Sequence, residues 1–218
     1  MFLSNTRTAH AEDIAQGVTV GVEARLASVL WEDEFSGVIE GENRVARFHL
    51  DRSVRANAFG GAARVGWKAQ TKQGIAFVLG GVFSLTGTPN VPVSYDTGLN
   101  EYEFSARGRW YSMLIYYEVQ PWQVLALNAG LGYGGIFRWR KVGDAAGSDD
   151  VENSHVVAFG LRLRVPPGAP FAGYIGLGHE MLGFSPFKAF WESRWTIATH
   201  SYLAAGIEFD SLGLEAAR

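Results

Sequence analysis

The chain has 218 residues, of which 47% are hydrophobic and 19% are charged, and its formal net charge is −3. This composition excludes a disordered chain, and the scattered Lys and Arg residues offer no basic surface for nucleic acid. Disulfides and thiolate metal sites are excluded because there is no Cys, and the longest apolar run, Ile75 to Phe83, is about half of the roughly 18 residues that a membrane helix needs.

Residues 1–16 form a separate N-terminal segment. Ala9-His10-Ala11, followed by Glu12-Asp13, resembles a small-residue cleavage site. The preceding residues lack the apolar segment of about 7 to 15 residues that a secretory signal contains. We therefore interpret residues 1–16 either as the remnant of a signal peptide or as a chance match.

After this segment, the sequence alternates between apolar and polar or small residues with a period of two. In a strand, such a pattern gives one apolar face and one polar face. Eight segments alternate in this way: Gly17 to Trp31, Arg55 to Thr71, Gly74 to Thr86, Glu101 to Tyr117, Gln123 to Arg140, Ser154 to Val165, Ala169 to Phe184 and Ser193 to Phe209.

The clearest segment is VLALNAGLGYGGIFRWR, residues 124–140. Its odd positions are apolar, as at Leu127, Leu131 and Trp139, whereas its even positions are small, polar or charged, as at Gly130 and Arg138. One face of this strand therefore suits lipid, and the other suits a crowded polar interior.

The connections between the segments alternate in length. Those at 71–74, 118–123 and 165–170 are short, and those at 31–54, 87–100, 141–153 and 184–192 are long. Short turns on one side, long loops on the other and an even strand number are typical of outer-membrane barrels. We predict an all-β, eight-stranded antiparallel up-and-down transmembrane barrel over residues 17–209, followed by a C-terminal tail, 210–218.

Residues 44–58 alternate well, but the apolar phase changes at Phe59-Gly60-Gly61. Two spanning strands here would give nine and would place the termini on opposite sides. We instead expect one strand with a glycine bulge at Gly60 and Gly61, whose upper part projects beyond the membrane.

The residues on the polar face decide between a membrane barrel and a soluble one. Arg greatly outnumbers Lys on this face and alternates with Glu and Gly, which indicates enclosed ion pairs rather than a solvated surface. The predicted lumen network is Glu23, Arg25, Arg64, Glu103, Arg107, Arg109, Arg162, Arg164, Glu180, Arg194, His200 and Glu208. Inward glycines such as Gly130 and Gly178 make room for long side chains, including that of Tyr202; otherwise a pocket remains.

Aromatic residues gather near the ends of the predicted strands, as they do at membrane interfaces. The predicted interface residues are Trp31, Trp67, Tyr116, Tyr117, Trp122, Trp139, Trp191 and Trp195. Trp110 is an exception, since it lies near mid-strand. The alternative is that these residues form the core of a soluble sheet.

Residues 17–209 resemble the small outer-membrane β-barrel families that include the OmpA membrane domain, OmpX and OmpW. The last segment, SYLAAGIEF, is similar to their C-terminal assembly signal, with Tyr202, Gly206, Ile207 and Phe209 in matching places, although nine residues follow Phe209. The resemblance implies the outer membrane of a Gram-negative bacterium, contact with lipid and lipopolysaccharide, and folding by the barrel assembly machinery. It is architectural, transfers no activity and implies no cofactor.

His49, Asp51 and Ser53 are the best candidates for catalysis, because they share one strand face. Neighbouring side chains on one face lie roughly 6.5 to 7 Å apart, which is too far for a direct relay. The acidic clusters at 32–34 and 144–152 could bind cations, but they lack the pattern of a calcium loop, and we predict no metal. We expect a non-catalytic structural or binding role at the cell surface, toward lipopolysaccharide, a partner protein or a small apolar ligand; the alternatives are a lipid A-modifying enzyme and a narrow pore.

Overall fold

The computed structural model describes the backbone of residues 16–41, 44–69, 73–84, 90–95, 98–142, 147–167, 169–183 and 197–212. It also describes the side chains in these ranges, except those of residues 32–53, 83–105, 142 and 148. These residues form nine strands: β1 (Gln16–Gly41), β2 (Arg44–Ala69), β3 (Gln73–Ser84), β4 (Asn90–Tyr95), β5 (Gly98–Trp122), β6 (Leu125–Val142), β7 (Ser148–Val165), β8 (Phe171–Leu182) and β9 (Ala198–Asp210). Among the described residues, no helix is long and apolar enough to cross a membrane.

Eight of these strands form a closed antiparallel barrel. Each barrel strand pairs with the next one along the chain, and β1 pairs with β9, so that the cylinder has no free edge. The short strand β4 pairs with the beginning of β5 in a second, small sheet. The predicted eight-stranded up-and-down barrel is confirmed, and β4 is an addition in a connection that the sequence pattern marks as a loop.

The hairpin of β1 and β2 is much longer than the predicted segments. Its pairing runs without a break from Gln16 opposite Ala69 to Gly41 opposite Arg44. Each strand has 26 residues, roughly 85 Å at about 3.3 Å per residue, whereas about 9 to 11 residues cross a membrane. The hairpin therefore projects far beyond a bilayer. The predicted glycine bulge is wrong, because Gly60 and Gly61 keep the register, opposite Arg25 and Ala24.

Large apolar side chains cover the outside of the barrel. Leu131 on β6 is 67% exposed, whereas Leu114 on β5, which points inward, is fully buried. The outward apolar side chains include Val18, Val20, Val22, Leu26, Val65, Trp67, Ile75, Phe77, Leu79, Ile115, Leu127, Phe159, Leu163, Ile175, Leu177, Leu203 and Ile207. A soluble monomer exposes apolar patches of a few hundred Å² at most. This continuous belt is the surface of a barrel that lies in lipid.

Part-way up the barrel wall, the polar and apolar faces of β2 change places. The even-numbered residues of β2 point inward along the whole described length of the strand. The inward side chains change from charged, at Arg64, to apolar, at Ala56 and Val54, while the outward ones change from apolar, at Val65, to polar, at Asn57. This exchange explains the phase change in the sequence without a bulge. On β2, the outward face is apolar and the inward face polar below Phe59, whereas above Phe59 the outward face is polar and the inward face apolar.

Candidate functional site

The middle of the lumen holds a buried ion cluster centred on Arg25. The Arg25 side chain is 1% exposed, and its Nε and Nη1 atoms donate to Glu23 Oε1 at 2.7 Å and Glu180 Oε1 at 2.9 Å. Trp110 Nε1 donates to Glu180 Oε2 at 2.9 Å, and the Tyr174 hydroxyl donates to Glu23 Oε2 at 2.7 Å. Both carboxylates therefore accept two hydrogen bonds each, as buried charges require.

His200 lies beside this cluster rather than inside its hydrogen-bond network. Its Nδ1 atom is 3.6 Å from Glu180 Oε2, which is beyond hydrogen-bond distance. Its ring packs between those of Trp110 and Tyr202, with centroids 5.4 and 4.9 Å away. His200 thus fills space between the ion cluster and the aromatic side chains.

A second ion cluster lies nearer the short turns. Glu118 accepts hydrogen bonds from both Arg64 and Arg162. Arg162 also donates to Glu208 at 2.6 Å, and Arg164 donates to Asp210 at 2.9 Å. Lys68 joins the edge of this cluster through Gln120 and Asp210. Because one guanidinium serves two carboxylates, the cluster needs the forked donor of Arg.

Glycines on the inner wall give the large lumen side chains their space. A Cβ atom at Gly130 would lie 2.7 Å from the Tyr116 ring, and one at Gly178 would overlap the Tyr202 ring. The Arg25 guanidinium lies 4.1 Å from the centre of the Tyr202 ring, so the ring packs between the wall and the cation. The bare wall is thus covered by Tyr116 and Tyr202.

Apolar side chains fill the lumen above the ion clusters. Trp31, Val29 and Val54 are at most 2% exposed, as are Ile136 and Leu182 from the facing strands. The voids beside the two ion clusters measure about 20 and 10 Å³, enough for about one water molecule each. The described part of the lumen is therefore a packed core of ion clusters and apolar side chains.

Seven residues of the predicted network come together in the two clusters: Glu23, Arg25, Arg64, Arg162, Arg164, Glu180 and Glu208, with His200 alongside. Glu103 and Arg194 lie outside the described side chains. The network also contains Glu118, Gln120 and Asp210, which the sequence reasoning missed because it ended the strands too early, at Tyr117 and Phe209. Trp110 was missed although its even position places it on the inward face.

Two arginines predicted in the lumen lie outside it. Arg107 and Arg109 are exposed, on the same face of β5 as Met113 and Ile115, whereas their neighbour Trp110 points inward. That prediction is wrong because the water-facing part of the outer wall, above the lipid belt, also carries charge. The parity of β5 alone would have placed both residues outside.

Two of the predicted interface aromatics are also misplaced. Trp31 and Tyr116 are buried inside the barrel, 1% and 3% exposed. Trp67, Tyr117 and Trp122 point outward near the short turns, and Trp139 points outward near the upper rim. Trp191 and Trp195 lie outside the described residues. Proximity to a strand end therefore predicts the height of an aromatic residue along the barrel axis. Whether the residue points inward or outward depends on its odd or even position in the strand.

The upper rim of β6 and β7 carries a third, partly exposed cluster. Arg138 Nη2 donates to Asp150 and Glu152, both at 2.6 Å, and Arg140 Nη2 donates to Asp150 at 2.8 Å. Although burial opposes the charged form, the Arg138 and Arg140 guanidiniums hold the pKa of Asp150 below its usual range. The sequence predicted these acidic residues in a loop that could bind cations. In the structure, Asp150 and Glu152 lie on β7 and pair with arginines.

The predicted catalytic candidates His49, Asp51 and Ser53 lie on β2, in the projecting part of the hairpin, and their side chains lie outside the described set. Another His–Ser pair is visible: His179 Nδ1 and Ser201 Oγ are 2.7 Å apart on the outer wall. Among the described residues, no group of three His, Asp or Glu side chains is placed to hold a metal ion.

Polar side chains form a ring on the outer wall just above the apolar belt. The outward residues here are Ser28, Asn57, Arg109, Asn153, His155, His179 and Ser201, from six of the eight barrel strands. On β1 and β2 the ring coincides with the level at which the inward side chains become apolar. It marks the height at which the outside of the barrel passes from apolar to polar side chains.

No family model and no curated protein matches the chain. Among solved structures, Ail of Yersinia pestis is 10% identical with a TM-score of 0.51, covering 89% of this chain and 97% of that one. Ail in complex with the heparin analogue sucrose octasulfate gives 12% identity and a TM-score of 0.50, with 90% and 99% covered. The crystal structure of Neisserial surface protein A is 12% identical with a TM-score of 0.43, covering 88% and 96%. The likeness to Ail shows a shared fold, and the predicted resemblance to small outer-membrane barrels is confirmed at that level.

Proposed function

We propose that this chain, which has the fold of the small outer-membrane β-barrels, is a non-catalytic outer-membrane protein that acts by binding anionic glycoconjugates at the cell surface. The observation that carries the proposal is the exchange of the two wall faces at Phe59. Above that level the barrel continues as a water-facing β-structure, in which β1 and β2 remain paired as far as Gly41 and Arg44. Such a projection offers a ligand-binding surface outside the membrane.

The packed lumen favours this role over that of a pore. A pore needs a continuous aqueous path, but the ion clusters fill the lower lumen and Trp31, Val29 and Val54 fill the upper part. The long arginine side chains are also paired to carboxylates on other strands, as between Arg25 on β1 and Glu180 on β8. They therefore act as crosslinks rather than as a selectivity filter.

Ail, in the complex described above, holds a sulfated sugar analogue. That observation concerns Ail, but it suggests the ligand class to test here. In this chain, cationic side chains stand on the outward, water-facing part of the wall: Arg55, Arg107 and Arg109. Guanidinium groups pair well with sulfate and phosphate.

The first test is surface exposure. Because the chain has no Cys, a single Asn57→Cys substitution can be labelled on intact Gram-negative cells with a membrane-impermeant maleimide. Val65→Cys is the matched control, since both residues point outward from β2 but only Val65 belongs to the apolar belt. We expect label on the Asn57→Cys variant alone. Label on the Val65→Cys variant, with none on Asn57→Cys, would overturn the assignment of the projecting end.

The second test is binding. The purified barrel in phosphatidylcholine nanodiscs is titrated with heparin and with purified lipopolysaccharide, and empty nanodiscs serve as the control. We expect saturable binding of at least one polyanion, at least tenfold tighter than to empty nanodiscs. Binding of neither would overturn the proposal. So would a change in the lipid A mass spectrum of the expressing cells, which would indicate an enzyme.

A further inference from the structure

A hydrogen-bonded His–Ser pair lies on the outer wall at the upper limit of the apolar belt. His179 on β8 and Ser201 on β9 are directly opposite each other in the register, and both side chains point outward. His179 Nδ1 and Ser201 Oγ are 2.7 Å apart, which is the separation expected of a nucleophile and its general base. The outer wall therefore carries a hydroxyl in direct contact with a proton acceptor.

Apolar side chains surround this pair. Leu177 and Leu203, the next outward residues toward the short turns, are 54% and 47% exposed, and Met181 is the next outward residue on β8 toward the rim. Phe159, opposite His179 on β7, packs its ring against the imidazole with the centroids 5.2 Å apart. Ionisable side chains are rare on lipid-facing surfaces, and where they occur they indicate a functional site.

The height of the pair matches that of the ester bonds in membrane lipids. The outward residues below the pair belong to the apolar belt, whereas Ser28 and Asn57, which continue its row across β1 and β2, are polar. The ester carbonyls of a lipid join its acyl chains to its headgroup, so they lie at the same transition from apolar to polar surroundings. An ester carbonyl of a neighbouring lipid can therefore reach the pair.

The geometry suits transfer of an acyl group to the serine. In the tautomer that carries its proton on Nε2, His179 accepts a hydrogen bond from the Ser201 hydroxyl at Nδ1. As Ser201 Oγ attacks the carbonyl carbon of the ester, its proton passes to Nδ1. The bond between the carbonyl carbon and the lipid alcohol oxygen then breaks, and that oxygen takes the proton from Nδ1. The products are an O-acyl serine and a lysolipid.

The surroundings of the pair favour a single transfer over repeated turnover. Its register neighbours on the outer wall are Phe159 and Ser28, while the carboxylate of Glu180, next to His179 in sequence, is buried in the lumen. Among these described neighbours, no outward carboxylate orients the imidazole as in a Ser–His–Asp triad. Hydrolysis of the acyl-serine also needs water, which is scarce beside Phe159 and the leucines of the belt.

We propose that Ser201 is an acylation site, at which the hydroxyl, with His179 as its general base, takes one acyl group from an ester-linked lipid of the outer membrane. The barrel then carries a covalent acyl chain that lies along the apolar belt, against Leu203. This modification goes beyond the proposed binding role, which does not depend on it.

The test uses the full chain, folded in detergent and transferred to liposomes of phosphatidylglycerol and phosphatidylethanolamine with ester-linked acyl chains. Liposomes of the ether-linked analogues are the control, because they offer no acyl ester. We expect mass spectrometry of the intact protein to show one added acyl group in the ester liposomes and none in the ether liposomes, with peptide mapping to Ser201. When lipopolysaccharide is included, the mass of the added group identifies the donor lipid.

Three variants separate the roles of the side chains. Ser201→Ala should abolish the added mass, and His179→Gln should slow its appearance at least tenfold, since a general base contributes about 10²- to 10⁴-fold. Ser28→Ala is the matched control, because it removes an outward hydroxyl that lies opposite Ser201 and Asn57 rather than opposite a histidine. It should change the rate less than twofold. Heat-modifiable electrophoretic mobility shows that each variant is folded.

An unmodified wild type in ester liposomes would overturn the proposal, as would acyl groups spread over several serines. Equal rates in wild type and His179→Gln would overturn the role of the imidazole. Each of these results leaves the binding of heparin and lipopolysaccharide to be decided by its own titration. Release of more than one lysophospholipid per chain would indicate an enzyme, and would overturn both the single transfer and the non-catalytic role.

Discussion

Replacing Glu180 by Ala tests whether the central ion cluster holds the barrel together. Glu180 is fully buried, accepts from Arg25 at 2.9 Å and from Trp110 at 2.9 Å, and comes from β8, whereas Arg25 comes from β1. Removing the carboxylate leaves the 1% exposed Arg25 with Glu23 as its remaining partner in this cluster. The variant also leaves the buried Trp110 indole N–H without its acceptor.

The size of the effect follows from these losses. Breaking one side of a buried ion pair costs about 3 to 5 kcal/mol, because the remaining charge stays desolvated. Glu23 still pairs with Arg25 and offsets part of this cost, so we expect the lower end of the range, about 3 kcal/mol. Glu180→Gln should cost less, about 1 to 2 kcal/mol, because the amide oxygen still accepts a neutral hydrogen bond.

The assay is urea unfolding of the barrel in detergent micelles, followed by tryptophan fluorescence and by heat-modifiable mobility. Glu152→Ala is the matched control, since Glu152 also accepts from an arginine, but its side chain is 36% exposed. An exposed pair contributes about 0 to 1 kcal/mol. If Glu180→Ala lowers the free energy of unfolding no more than Glu152→Ala does, the buried cluster does not stabilise the barrel as argued.

The same geometry predicts four further outcomes. Gly178→Ala should destabilise the barrel by about 1 to 3 kcal/mol in urea unfolding, because its Cβ would overlap the Tyr202 ring. Gly173→Ala is the control and should be close to neutral, because no atom lies within 3.6 Å of its Cβ position. Equal effects of the two substitutions would refute the packing argument. Because the pKa of Asp150 is lowered in the folded state, its stabilisation is present above the unfolded pKa of about 3.9 and is lost as the pH falls through the folded value. The difference in urea midpoint between wild type and Asp150→Asn should therefore be small at pH 7 and should shrink as the pH falls below about 3.9; a difference that grows in acid would contradict this sign. Planar bilayers containing the protein should show no conductance steps, since the lumen is packed, and regular steps would contradict the plugged interior. A fluorophore on Leu131→Cys should be quenched by brominated lipid, whereas one on Asn57→Cys should not, and the reverse result would invert the assignment of lipid and water.

Much of this architecture could be predicted from local sequence. Alternation with a period of two depends only on neighbouring residues, so the apolar set of Leu127 and Leu131 identifies a strand face before any partner strand is known. The even strand number and the alternation of short and long connections then lead to an up-and-down barrel. The excess of Arg over Lys indicated enclosed ion pairs, and Arg162 and Arg164 form buried pairs with Glu208 and Asp210.

Pairing in the lumen could not be predicted in the same way. Arg25 and Glu180 are 155 residues apart in sequence, and nothing local to either residue indicates the other. Their contact depends on the closure of β1 onto β9, which places β8 two strands away from β1 and within reach inside the lumen. Glu118 and Asp210 joined the second cluster only because their strands continue beyond the end of the regular alternation.

The sequence by itself determined the strands, their two faces and the polar lumen of a barrel, because these are properties of side-chain period and residue type. Only the tertiary structure decided what each face touches, because the surroundings of an outward residue change with its height along the barrel axis. Ile115 and Arg107 lie on the same outward face of β5, yet one belongs to the apolar belt and the other to the polar part of the wall above it. Which positions of the alternation are apolar depends on whether the outside of the barrel faces lipid or water at that height. The direction in which a side chain points depends only on its place along the strand.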